Sequence, residues 1–394
     1  MITFPDALEL LLQAATVLPT EVCRIENAAG RVLREAVRAD REFPPFDRVM
    51  MDGFALRAAD LRIGRKFKVV GSAPAGQAVV GLARVPFACL EVMTGAPLPI
   101  GADRIVPVEE IVRTAVAEIT VSEGYESLAG RHIHRAGSDA AAAMVLLEPG
   151  LRLGSREIGV AAACGAGWLR VSKLPQIAVI ATGDELVAVD ATPASHQIRQ
   201  SNAHALDCAL QRAGYPPVHT GTLGDEAGEA EAVLGRWLES CGWLILTGAV
   251  SKGARDFVPE TLAALGCEKI FHGVAQRPGK PAGCWRGPTG QIVLALPGNP
   301  VSALTNLHVF GLPALEMASG LAKRARRLVA APENAALLTG FTHHLPVVLA
   351  PDGRAHAAAT GNSGDFIGLL KSDGFLTLPP RGDVAAAHPF TPWL

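Results

Sequence analysis

The sequence predicts a multidomain α/β protein: a central parallel-sheet α/β domain, a β-rich N-terminal domain, a mixed linking domain and a small C-terminal β domain. Three observations carry this. Between about 176 and 320, short apolar runs alternate with helix-period segments, the pattern of a parallel sheet with crossover helices. Between 66 and 140, short β-type runs are separated by turn residues. A chain of 394 residues is long enough for several cores.

The elements follow in order. PDALELLLQAA (5–15) reads as a helix, with Pro5 and Asp6 near its start. Residues 17–40 alternate in a looser, strand-like way, and REFPPFDRVMMDGFAL (41–56) breaks the pattern. KFKVVGSA, GLARVPFACLEVMTG, DRIVPVEEIV and AVAEITVSE supply the β-rich part, and SREIGVAAACGAGW (155–168) returns to helix. QIAVIAT opens the α/β part as a buried strand. QIRQSNAHALDCALQRAG (197–214) reads as a helix ending at Gly214, and VHTGTLGD as the second strand. The next helix, 226–241, places Ala230, Val233, Leu234, Trp237 and Leu238 on one face. WLILTG (243–248) is the third strand, FVPETLAALG a helix, and IVLAL (292–296) a later strand. PVSALTNLHVFGLPALEMASG is a long helix, with a kink expected at Pro313. The run KRARR after residue 322 marks a boundary, and HLPVVLA, GFLTLPP and DVAAAHPF form the C-terminal β part.

Composition excludes some classes. The net charge is -2, from 36 basic and 38 acidic side chains, and aromatic content is 5%; neither nucleic acid nor an anionic membrane surface is an expected partner. Seven cysteines, odd in number and never spaced C-x-x-C, read as reduced thiols. MITFPDALELL carries Asp6 and Glu9 where a signal peptide has basic residues, and no apolar run approaches the roughly 18 residues of a membrane span. A cytoplasmic protein is expected.

The polar residues of the α/β part fall at strand ends: TGDEL (182–186), GD (224–225), TGAVSKGARD (247–256) and PGNP (297–300). Open parallel sheets bind ligands beyond the carboxyl ends of their strands, so these four loops should converge. Together they supply Asp184, Glu185, Asp225 and Asp256, with hydroxyls from Thr182, Thr247 and Ser251. Such an oxygen-rich set suits Mg²⁺ with a phosphate-bearing ligand. Any one loop alone reads as an ordinary turn; four such loops at one edge, three of them acidic, do not. Pro300 suits the first helical position and Asn299 the cap, which should leave the helix N–H groups facing the same edge as an anion site. In VAQRPGKPAG (274–283), Arg277 and Lys280 flank a Pro-Gly turn that could hold a tetrahedral oxyanion, although alone it reads as a surface turn. MDGFAL (51–56) and MTGAPLPIGAD (93–103) are stiff loops that present Asp52 and Thr94. His132 and His134, and the pair His343–His344, lack the further ligands of a zinc site. No G-x-x-x-x-G-K-[ST], G-x-G-x-x-G or G-x-S-x-G motif is present.

Taken together, PPFDRVMMDGFAL, MTGAPLPIGADRIVPVEE, RAGSD, TGDEL, SN (201–202), TGAVSKGARDF, RPGKP and LPGNPVSA resemble, in order and over nearly the whole chain, the molybdopterin molybdenumtransferases (bacterial MoeA and the gephyrin E domain). The resemblance implies insertion of molybdenum from molybdate into adenylylated molybdopterin, with release of AMP and a divalent cation, Mg²⁺. It implies a homodimer whose active site lies between the α/β domain of one subunit and the β-rich domain of the other. Expected partners are the molybdopterin adenylyltransferase and recipient molybdoenzymes. By motif, Asp52, Thr94, Asp139, Glu185, Asp225 and Asp256 would be catalytic, and Asp184, Glu185, Asp225 and Asp256 would hold the metal. Ser251, Arg277, Lys280, Pro281, Pro297, Gly298, Asn299, Pro300 and Ser363 would line the substrate. The implied domains are 1–45 plus 140–173 (mixed linking), 46–139 (β-rich), 174–322 (α/β, molybdopterin-binding) and 323–394 (C-terminal β). This chain has Ala249 where the family has a second Gly, Arg277 for Lys, Ser138 for Glu, Val49 for Ser, His343 for Arg, Gly368 for a second Ser, and an added Lys252. A non-catalytic cofactor-binding scaffold or carrier, or a tungstate-preferring relative, are the alternative readings.

Overall fold

In the computed structural model, all residues from Met1 to Leu394 are described except 63, 127, 225–226, 249–256, 324, 334, 359–361 and 385, and the side chains of 227 and 229. The chain packs as two compact units. One comprises Met1–Glu35, Pro149–Ser155 and Trp168–Leu394; the other comprises Ala36–Glu148 and Arg156–Gly167.

The larger unit is built on a six-stranded sheet in the order His219–Leu223, Ile177–Thr182, Trp243–Thr247, Ile292–Leu296, Gly283–Arg286, Glu268–His272. The first four run parallel. Ile177–Thr182, Trp243–Thr247 and Ile292–Leu296 are buried at every position, as strands covered on both faces must be. Alternate residues serve opposite cores. Ile177, Val179, Ile245 and Leu294 pack with Leu206 and Leu210 of the helix Asn202–Arg212 and with Leu307, Phe310 and Leu315. Ala178, Ile180, Leu244 and Val293 pack with Ala230, Leu234 and Leu238 of Ala227–Ser240 and with Val258 and Leu262. The sheet is not wholly parallel: Gly283–Arg286 and Glu268–His272 add on antiparallel at one edge.

Three further expectations need correction. The helix expected over 197–214 starts at Asn202, because Ile198–Arg199 pairs in parallel with Leu186–Val187 and the ladder claims those backbone groups. The helix over 155–168 stops at Ala163; Gly165 turns at φ 74°, and Trp168–Ser172 pairs as a strand with Thr20–Arg24. The long helix from 300 is three pieces, α from Pro300 to Asn306, π from Leu307 to Gly311 and α from Leu312 to Ala318. The widened turn lies just before Pro313, which has no N–H to continue the regular ladder.

The same unit holds a seven-stranded sheet. Thr342–Leu349, Gly374–Leu378, Ala387–Pro392 and Leu328–Ala330 are joined by Ala355–Ala357 and, from far upstream, by Val274–Arg277 and Ile2–Thr3. The strand that leads into RPGKP therefore pairs with the C-terminal strand carrying the two histidines: Gln276 stands opposite Thr342, and Arg277 opposite His343.

The smaller unit has a six-stranded sheet in the order Arg104–Pro107, Gly53–Leu56, Ala88–Val92, Lys66–Ala73, Glu118–Val121, Ile111–Ala115. Ala55, Leu90, Val92 and Ile105 fill one core; Phe54, Leu56, Phe67, Val106 and Ile119 fill another.

Candidate functional site

The loops at the carboxyl ends of the four parallel strands interlock. The Gly183 N–H donates to Leu223 O (3.1 Å), and the Gly248 N–H to Leu296 O (3.1 Å). Thr182 Oγ1 donates to Thr247 O (3.4 Å), and Thr247 Oγ1 to Pro297 O (3.1 Å). The Asn202 amide donates to Thr247 Oγ1 (3.0 Å) and to Gly298 O (2.7 Å), so the helix after the first strand grips the PGNP turn. Asp184 Oδ1 lies against Gly224 of the second loop. Asp184 and Glu185 are exposed at this edge. Asp225, Ser251 and Asp256 lie outside the described residues.

The fourth loop is closed more than its residues suggest. Asn299 Nδ2 donates to Ser363 Oγ (2.9 Å), which brings the C-terminal segment to the turn. Pro300 has no N–H, the Val301 N–H donates to Ser363 O (3.2 Å), and the Ala303 N–H to Asn299 O (2.9 Å). The helix start expected as an open anion site is thus largely satisfied within the protein.

The cation loop is docked on the other end of the same helix. Gln276 Nε2 donates to Asn306 Oδ1 (2.7 Å) and to Gly279 O (3.1 Å), and Asn306 Nδ2 donates to Ser302 O (2.7 Å). Gly279 has φ 96° and lies so close to the Asn306 amide that any Cβ would overlap it. The Val274 N–H closes the turn on Lys280 O (2.8 Å). Arg277 and Lys280 are exposed, and neither is ion-paired among the described residues. The Arg277 guanidinium sits 5.4 Å from the Phe341 ring centroid. Burial, chiefly, and the neighbouring Arg277 charge push the His343 pKa down, so it adds no positive charge at neutral pH. One helix of about 10 Å, seven residues at 1.5 Å each, therefore separates the PGNP turn from the cation loop.

In the smaller unit, three motif loops meet. The Gly95 N–H donates to Val49 O (2.8 Å), the Met50 N–H to His132 O (2.9 Å), and the Asp139 N–H to Phe43 O (2.9 Å). Asp52 Oδ1 accepts from the Thr94 N–H (2.7 Å) and hydroxyl (2.9 Å), which hold its carboxyl below the usual range. Asp139 Oδ1 lies 2.7 Å from His134 Nε2, and Arg48 donates to His134 Nδ1 (3.1 Å). Since Nδ1 accepts, the proton sits on Nε2 and points at Asp139.

The structure thus brings Asp184, Glu185, Pro297, Gly298, Asn299, Pro300 and Ser363 into one interlocked edge. Arg277, Lys280 and Pro281 lie at the far end of the helix that this edge begins. In the smaller unit, Asp52 is bonded to Thr94, and Asp139 to His134. Sequence reading missed Asn202, Gln276, Asn306, His344 and His134 as organisers. The available signal was an amide in an apolar run, as in SALTNLHVF. Among the described residues, no group of three or more His, Cys, Asp or Glu side chains could hold a metal ion. No helix among them is long and apolar enough to cross a membrane.

Two family models match the chain: the MoeA N-terminal region (domain I and II) over residues 2–165, and a probable molybdopterin binding domain over residues 178–317. A molybdopterin molybdenumtransferase of Synechocystis is 36% identical over 389 residues, covering 94% of both chains. Molybdopterin molybdenumtransferase 2 of Mycobacterium tuberculosis is 36% identical over 325 residues, 80% of this chain and 78% of its own. Among solved structures, a molybdopterin biosynthesis moeA protein from Pyrococcus horikoshii superposes with TM-score 0.77 at 26% identity, covering 100% of this chain and 99% of that one; another from the same organism gives 0.79 at 24%. The matches run through every motif loop described above, and the chain belongs to the molybdopterin molybdenumtransferase (MoeA) family.

Proposed function

We propose that this protein inserts molybdenum from molybdate into adenylylated molybdopterin, releasing AMP. The observation that carries the reading is the joined frame of the larger unit. The PGNP turn, locked to the acidic strand-end loops through Asn202 and Thr247, leads directly into the helix on which the Arg277–Lys280 loop is docked. That frame sets acidic oxygens and two cations, neither ion-paired among the described residues, at the ends of one short helix. A substrate with a pyrophosphate and a dianionic oxyanion needs both.

Arg277 and Lys280 would bind molybdate by charge-assisted hydrogen bonds, with Ser251 as a further donor. Pro281, Pro297, Gly298, Asn299, Pro300 and Ser363 would shape the pterin and phosphate walls. Asp184 and Glu185 offer the hard oxygen donors Mg²⁺ prefers; with Asp225 and Asp256 they would hold the ion. When bound, that ion would neutralise the pyrophosphate and orient water for its cleavage. Asp52, kept ionised by Thr94, and Asp139, oriented by His134, would act on the same substrate in a homodimer in which each subunit completes its partner's site. The four-part division at residues 46, 140, 174 and 323 belongs to the same reading. So do a cytoplasmic setting, consistent with seven free thiols, and exchange of cofactor with the adenylyltransferase and recipient molybdoenzymes.

The test mixes the protein with adenylylated molybdopterin, Mg²⁺ and molybdate and measures AMP. Molybdate-dependent release is expected, and Asp256→Ala should abolish it. A protein that binds the nucleotide yet releases no AMP would be a carrier. Light scattering at the monomer mass of 41.1 kDa would refute the shared site.

A further inference from the structure

Gln276, Asn306 and His344 are fully buried, although each carries polar atoms that are costly to bury unpaired. They form one hydrogen-bonded chain. Thr377 Oγ1 lies 3.2 Å from His344 Nδ1, and His344 Nε2 lies 3.1 Å from Gln276 Oε1. Gln276 Nε2 continues to Asn306 Oδ1 and Gly279 O, and Asn306 Nδ2 to Ser302 O. With the Gln276 amine already spent as a donor, its oxygen must accept. The His344 proton therefore sits on Nε2, and Nδ1 accepts from Thr377. Burial pushes the His344 pKa down to about 3, so the ring is neutral at physiological pH. Phe4 and Phe375 hold it edge-on, with centroids at 4.9 and 5.6 Å.

The chain ends on the backbone beneath the two cations. Gln276 immediately precedes Arg277, and Gly279 immediately precedes Lys280. Two like charges on one short loop repel, and no carboxylate among the described residues pairs with either. An apolar filling of the same volume could stabilise the core as well; what the hydrogen bonds add is direction. We infer that Gln276, Asn306 and His344 are positioning residues that fix the spacing of Arg277 and Lys280 for a tetrahedral oxyanion, an inference that rests on the oxyanion role proposed for that loop. A loop already held in its binding shape spends less of its binding energy on ordering.

The test uses the whole protein and three variants. His344→Phe keeps the packing and removes the donor to Gln276. Gln276→Met removes the bonds to Gly279 and Asn306 at similar volume. His344→Gln can return an N–H donor to the same place. Molybdate affinity is read twice, by calorimetric titration with molybdate alone and as its KM in AMP release. The first two variants should weaken molybdate about tenfold in both readouts with kcat within about twofold, the pattern of lost uniform binding, and His344→Gln should recover to within about threefold. Unchanged affinity, equal loss in His344→Gln and His344→Phe, or loss of the fold in both disruptive variants would overturn the inference, the last by reducing the chain to a core element. A wild-type protein that binds molybdate but releases no AMP would defeat the proposed function and leave the binding arm to judge the positioning role.

Discussion

Thr247→Val tests the lock between the strand-end loops. Thr247 is 1% exposed at the end of a central strand. Its hydroxyl donates to Pro297 O and accepts from Asn202 Nδ2. Valine has nearly the same shape, so the change removes two hydrogen bonds and creates little cavity. The Pro297 carbonyl loses a buried donor, whereas the Asn202 amide keeps its bond to Gly298 O. Leaving a buried acceptor unsatisfied costs about 1–3 kcal/mol, and about 2 kcal/mol is the expected loss here. The five tryptophans, at 168, 237, 243, 285 and 393, all lie in the unit that holds this sheet. Urea unfolding followed by tryptophan fluorescence therefore reports on the right element. With a slope of about 3 kcal/mol per molar, the midpoint should fall by about 0.7 M. Asn202→Ala shares one of these bonds, so the double variant should be less destabilised than the sum of the singles by about 1 kcal/mol. An unmoved midpoint, or effects that add to within about 0.3 kcal/mol, would refute the lock.

Other consequences are equally direct. Asp52 owes its lowered pKa first to the Thr94 N–H and then to the Thr94 hydroxyl, so that interaction is present above the unfolded-state pKa and lost as pH falls through the folded one. Thr94→Val removes the hydroxyl alone; the Asp52 titration, followed by carboxyl-carbon NMR, should move up towards the ordinary carboxylate value, and a stationary titration would remove the hydroxyl from the account. A Cβ on Gly53 would overlap Val106 O and stand 2.9 Å from Pro107 Cα, both backbone atoms of the paired strand. Gly53→Ala should cost about 3 kcal/mol and lose hydrogen-exchange protection along Arg104–Pro107; retained protection would contradict the register. Chelation by EDTA should stop AMP release and added Mg²⁺ should restore it; release indifferent to EDTA would remove the cation from the site.

Much of the fold was legible because its signals are local. IAVIAT, WLILT and IVLAL announce strands covered on both faces, and their buried positions divide between two cores as alternation requires. What was not legible depends on distant partners. Val274–Arg277 has no strong strand pattern of its own and is fixed by pairing with Thr342–Leu349, more than sixty residues on. Ile198–Arg199 lies within a stretch that reads as helix and is claimed instead by Leu186–Val187. Propensity loses in both places to a ladder that the local sequence cannot display.

The candidate site divides along the same line. Glycine, proline and aspartate at strand ends mark loops, and a parallel sheet brings such loops to one edge, so their meeting followed from topology alone. The side chains that make the meeting rigid did not. Asn202, Gln276, Asn306 and His344 reach partners between 30 and 96 residues away, and an amide in an apolar run looks the same whether it is a flaw or a fastening. Burial distinguishes the two. An amide kept at no exposure must have its atoms answered, and finding which atoms answer it traces the connection from the PGNP turn to the cations. The acidic residues say what chemistry the edge could do; the buried amides determine whether its parts are held in place to do it.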